Sequence, residues 1–129
     1  MGDMSKDFDR AEFACPCCGA DDIDPTVVKY CQLIRDRIGK PVCVSSGVRC
    51  RSHNQAVGGV THSSHLKGLA ADIYVDGMSN SELGKVIQEL YREGKMSSLY
   101  YCYLIKGKTS TGVHFDVDAS KYRTKVFEF

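Results

Sequence analysis

Apolar residues recur along this chain with two different periods. After Asp24-Pro25, the residues Val27, Cys31, Ile34 and Ile38 fall three or four apart and share one helical face. Asp24 is placed to cap that helix, Pro25 to occupy its first turn and Gly39 to end it. A second helical pattern is formed by Leu83, Val86, Ile87, Leu90 and Tyr91. It follows Ser79-Asn80-Ser81-Glu82, which has the form of a capping box, and stops at Gly94. Residues 52–57 suit a short helix ending at Gly58-Gly59. Elsewhere the period is two. Residues 42–46 predict a short strand, and residues 69–75 place Ala71, Ile73 and Val75 on one face with Ala70, Asp72 and Tyr74 on the other. Residues 99–105 and 113–117 are strongly β-prone, and residues 123–129 suit a terminal edge strand. Helices and strands do not alternate regularly. The expected fold class is α+β: one domain spanning residues 1–129, a small mainly antiparallel sheet with flanking helices, and a flexible start over residues 1–7.

Length and charge narrow the function classes. With 129 residues there is material for one core and no second substantial domain. Seventeen basic against sixteen acidic residues leave a net charge of +1 without long like-charge runs, which argues against sequence-independent binding to nucleic acid or anionic membrane. No apolar stretch approaches membrane-spanning length, and the start Met1-Gly2-Asp3-Met4-Ser5-Lys6-Asp7 is polar with no apolar signal segment. The expectation is a cytoplasmic monomer that meets extracytoplasmic substrate only if released or exported.

Candidate chemistry lies in two patterns. Ser63-Ser64-His65-Leu66-Lys67-Gly68-Leu69-Ala70-Ala71-Asp72 reads S-x-H-x-x-G-x-A-x-D, and Val113-His114-Phe115-Asp116-Val117 carries H-x-D on an alternating strand. In the second, Val113, Phe115 and Val117 point one way and His114, Asp116 and Asp118 the other. Two imidazoles and two carboxylates suit a single zinc ion, and three protein ligands with an open position make a catalytic rather than a structural site. Ser63 is placed to orient His65. His62 is expected near the cleft. Tyr100, Tyr101 and Tyr103 read as sheet residues, with any exposed ones lining the cleft.

Cysteine adds a separate question. Seven is an odd number for a disulfide scaffold, and Cys31, Cys43 and Cys102 occupy apolar positions. Cys15 and Cys18 form C-x-x-C, and Cys50 with His53 forms C-x-x-H. Those four residues are open to three readings: a second, structural zinc, a disulfide, or free thiols.

From Ser45-Ser46-Gly47-Val48-Arg49 through Ala56-Val57-Gly58-Gly59 to Asp72, the chain resembles the zinc D-alanyl-D-alanine carboxypeptidase family. It is most similar to the short murein-peptidase subgroup of phage endolysins and cell-wall endopeptidases, whose fold is related to the Hedgehog signalling domain. The resemblance extends over roughly residues 8–117. It implies a zinc peptidase acting on peptidoglycan peptides, with His65, Asp72 and His114 as ligands and Ser63 as the motif serine. It also implies that Arg49 faces substrate and stabilises developing negative charge. In several branches an acid three residues before the last zinc histidine is the general base; here that position is Thr111. The base then falls to Asp116. In an alternative register Asp116 is a ligand and His114 its catalytic neighbour, and a third role has Asp116 only orienting a neighbour of the metal. Two rival readings remain: a non-catalytic binding module of the same fold, and a cysteine-based zinc adaptor.

Overall fold

Each helix starts where its capping chemistry places it. The structure, a computed structural model, describes residues 2–106 and 111–129, with the backbone alone at Thr111. Helix α1 (Pro25–Ile38) begins with the Asp24 carboxylate accepting the Thr26 N–H and ends at Gly39. Helix α3 (Asn80–Arg92) is capped by Ser79 and Glu82 in the expected reciprocal box. The short α2 (Arg51–Ala56) starts at Cys50, whose side chain accepts the His53 N–H.

Five strands form one sheet: β1 (Cys43–Ser46), β2 (Ala70–Tyr74), β3 (Tyr101–Lys106), β4 (Thr111–Asp116) and β5 (Phe127–Glu128). Their spatial order is β1-β2-β4-β3-β5, antiparallel except for β5 against β3. This matches the expected α+β class and mainly antiparallel sheet. Two 3₁₀ turns, Arg10–Phe13 and Ser64–Lys67, have no counterpart in the periodicity, because four residues are too few to display one.

Register separates the two faces of the sheet. Ala71 pairs with Phe115 and Ile73 with Val113, and Phe115 and Val113 in turn oppose Cys102 and Leu104. These side chains join Val27, Cys31 and Ile34 of α1 and Leu83, Ile87 and Leu90 of α3 in the core. The alternate residues face away from it. Asp72 stands opposite His114, which stands opposite Tyr103; Ala70 stands opposite Asp116, which stands opposite Tyr101. One apolar-polar alternation thus builds the core on one side and sets a row of ionisable groups on the other.

The N-terminal segment folds onto this frame. Ser5 Oγ and the Asp7 N–H donate to the Gln32 side chain on α1, and Phe8 and Phe13 are buried in the core. The Val48 N–H donates to the Phe13 carbonyl at 2.8 Å, joining the segment to the loop after β1.

Candidate metal centre

Asp72 and His114 meet because β2 and β4 pair in register, and His65 joins them from the 3₁₀ turn just before β2. One donor atom from each of the three lies within 4.8 Å of the others. His65 is 2% exposed, His114 6% and Asp72 8%, so the group is nearly dry. Buried charge of this kind needs a partner.

The hydrogen bonds show what kind of partner fits. His65 Nδ1 lies 2.7 Å from the Gly47 carbonyl, and its Nε2 lies 3.1 Å from Asp72 Oδ1. His114 Nδ1 lies 2.9 Å from the same Oδ1, and its Nε2 lies 2.9 Å from Asp116 Oδ2. Both rings therefore meet oxygen acceptors at both nitrogens. A neutral imidazole has a single N–H, so one nitrogen lone pair of each ring faces an oxygen lone pair. With the outer nitrogens donating to Gly47 and Asp116, both inner lone pairs converge on Asp72, where a shared cation removes the conflict. Two nitrogens and a carboxylate oxygen are a zinc-type donor set, and the residues present fit such an ion.

The ionisation of these groups reflects the same crowding. Burial works to raise the Asp72 carboxyl, yet hydrogen bonds from His114 and His65 hold it well below the usual carboxylate range. Burial likewise disfavours a charged His114, but its contacts with Asp116 and Asp72 outweigh that and raise its pKa.

Arg49 completes the wall of the cleft. Its Nε donates to Ser46 Oγ at 2.9 Å, Nη1 to Asn54 Oδ1 at 3.2 Å and Nη2 to Asp72 Oδ2 at 3.2 Å. Three of its five N–H groups are thereby used, leaving one on each terminal nitrogen. The cleft, of about 440 Å³, is lined by Ser46, Arg49, His65, Asp72, Tyr103 and His114 among others. Tyr103 stacks on the His114 ring with centroids 4.6 Å apart.

The remaining predicted residues have the following surroundings. Ser63 Oγ accepts the backbone N–H of His65 at 3.2 Å and so caps the turn, while the ring is oriented by the Gly47 carbonyl. His62 is exposed and lines a neighbouring hollow with Thr61 and Lys67. Asp116 is 2% exposed, with Oδ1 accepting the Asp118 N–H and Oδ2 on His114. Asp118 is tied to Ser64, Lys67 and Ser120, which fastens the chain after β4 to the His65 turn.

Three residues that hold the site were given no role by sequence reasoning. Asn54 is buried and bridges Arg49 to the Val60 carbonyl. Gly59 makes room for it: a Cβ there would lie 2.0 Å from Asn54 Oδ1 and 2.9 Å from Arg49 Nη1. Gly47 must carry its carbonyl to His65 while passing the N-terminal segment, and a Cβ there would lie 2.6 Å from the Phe13 carbonyl oxygen. The glycines were visible as motif letters, but only the fold shows what they clear.

Of the four residues considered for a second metal, three come together. Cys15, Cys18 and Cys50 place their sulfurs within 4.8 Å of one another. His53 contributes its backbone N–H to Cys50 Sγ, and the residue lines the main cleft. No disulfide joins any of the seven cysteines.

The Peptidase M15 family profile matches residues 6–104. The chain belongs to the Peptidase M15 family. The match takes in Arg49, His65 and Asp72 and ends before His114, which the β2–β4 register brings to the same point. M15 peptidases are metallopeptidases, in keeping with the buried His65, Asp72 and His114 group. Among solved structures, the chain is similar to the Serratia marcescens L-Ala D-Glu endopeptidase ChiX. The two share 22% identity, with a TM-score of 0.51 over 73% of this chain and 79% of that one. That likeness concerns the fold. No curated protein matches the sequence.

Proposed function

We propose that this M15 peptidase uses zinc to hydrolyse peptide bonds in the stem or cross-link peptides of bacterial peptidoglycan. The observation that carries the reading is the convergence of His65 Nε2 and His114 Nδ1 on Asp72 Oδ1, beside an arginine with free N–H groups. The cell-wall substrate is supported by the sequence resemblance to murein peptidases and by the fold shared with an L-Ala D-Glu endopeptidase.

In this reading His65, Asp72 and His114 hold the ion. Bound there, zinc supplies Lewis acidity for polarising a carbonyl and acidifying a water. The protein does the rest. Gly47 and Asp116 fix the tautomers of the two imidazoles by accepting their outer N–H groups. Arg49 turns its two remaining N–H groups on a substrate carboxylate or on the oxygen that gains charge as the bond breaks. Tyr103 and the floor of the cleft keep water from one side of His114.

Asp116 enters through His114. Its carboxylate keeps acceptor lone pairs beyond those engaged by His114 and the Asp118 N–H, so holding the imidazole and accepting a proton from water are separate roles that experiment can divide. Digestion of purified peptidoglycan, with products identified by mass, tests the function. The expected result is peptide cleavage with intact glycan chains, abolished by chelator. A folded, zinc-loaded protein that releases nothing supports the non-catalytic module instead.

A further inference from the structure

The cysteine cluster lies outside the machinery above and has its own logic. Cys15, Cys18 and Cys50 come from two separated stretches, yet their sulfurs lie within 4.8 Å of one another. The turn holding the first two is closed by hydrogen bonds from the Gly19 N–H to the Cys15 carbonyl at 2.8 Å and from the Cys15 N–H to the Ala20 carbonyl at 2.7 Å. Backbone N–H groups point at two of the three sulfurs. Cys15 Sγ accepts the N–H of Cys50 at 3.4 Å, and Cys50 Sγ accepts the N–H of His53 at 3.4 Å.

Sulfurs that collect N–H donors are arranged as acceptors, the role of a thiolate rather than of a thiol. Three thiolates at this spacing repel one another unless a cation lies among them. The C-x-x-C spacing at Cys15 and Cys18 is that of one half of a closed zinc site, and Cys50 supplies a third ligand.

We propose that Cys15, Cys18 and Cys50 bind a second, structural metal ion of the zinc class. The site fastens residues 15–20 to the start of α2. Cys50 directly follows Arg49, whose backbone N–H donates to the His65 carbonyl at 3.0 Å, so the ion secures the strand of chain from which Arg49 enters the cleft. The inference stands apart from the catalytic reading, since none of its ligands is shared.

Alkylation of the unmodified chain, mapped by peptide mass with and without stoichiometric zinc, tests the site without mutation. Cys18 and Cys50 should be protected only when zinc is present, while buried Cys15, Cys31 and Cys102 resist in both conditions. Cobalt loading of a His65→Ala/Asp72→Ala chain should give one bound equivalent with an intense thiolate-to-cobalt charge-transfer band, lost on adding Cys18→Ser. Equal alkylation of Cys18 and Cys50 with and without zinc would overturn the proposal. So would two equivalents of cobalt bound by the unmodified chain with no thiolate band.

Discussion

Asp72 gives its two oxygens to different tasks, Oδ1 to the imidazoles and Oδ2 to Arg49. Arg49 in turn meets Ser46, Asn54 and Asp72 through its planar fork. A lysine keeps the charge but reaches only part of that set. Arg49→Lys should keep the fold by circular dichroism and lower turnover on peptidoglycan by roughly a hundredfold; near-normal turnover would make the fork dispensable. Asp116→Asn divides the roles of that carboxylate. As the partner of His114, its loss should weaken zinc binding about 10–100-fold in a competition titration. As a proton acceptor, its loss should leave zinc binding intact and reduce the rate by about 10²–10⁴. The His65, Asp72 and His114 group was legible as residue types in a motif. Its supports were less so: that Gly47 lends a carbonyl, or that Asn54 steadies Arg49, depends on loop paths with no periodic signature.

At the scale of elements, the loop after β1 and the turn after α2 form one scaffold around Arg49. Gly59→Ala tests it, because the added methyl meets Asn54 and Arg49 rather than open space. The expected outcome is a fall in activity of at least about tenfold, since small displacements of positioning groups are costly, with zinc content unchanged. Ser79→Ala provides the contrast. It removes the cap of α3, far from the cleft, and should cost about 1 kcal/mol in urea unfolding while leaving turnover alone. Caps and alternating strands were readable because each rests on contacts between neighbours in sequence. The Ser64–Lys67 turn that carries His65 was not, since four residues are too few to display a period.

Over the whole molecule, the sheet divides labour between its faces, and that division was already written in the alternation of residues 69–75 and 113–117. What alternation alone does not contain is register, which makes Asp72 the cross-strand neighbour of His114. The same polar side ties acid stability to the site. Burial opposes ionisation of Asp118, but Ser120, Ser64 and Lys67 outweigh it and bring its carboxyl down to about 2. A folded-state pKa below the ordinary carboxylate value of about 4 means the contribution is full above that pH and is lost as pH falls towards about 2. Urea midpoints across that range should fall less steeply for Asp118→Asn than for the unmodified chain.

On the proposed function, hydrolysis depends on an ion held by His65, Asp72 and His114. The rate of peptide release from purified peptidoglycan, as zinc is titrated back into chelator-stripped protein, tests that dependence. No release is expected without metal, with recovery on adding zinc and none at any zinc concentration in a folded Asp72→Ala variant. Undiminished release by the stripped protein, or zinc-restored release by Asp72→Ala equal to that of the unmodified chain, would contradict it.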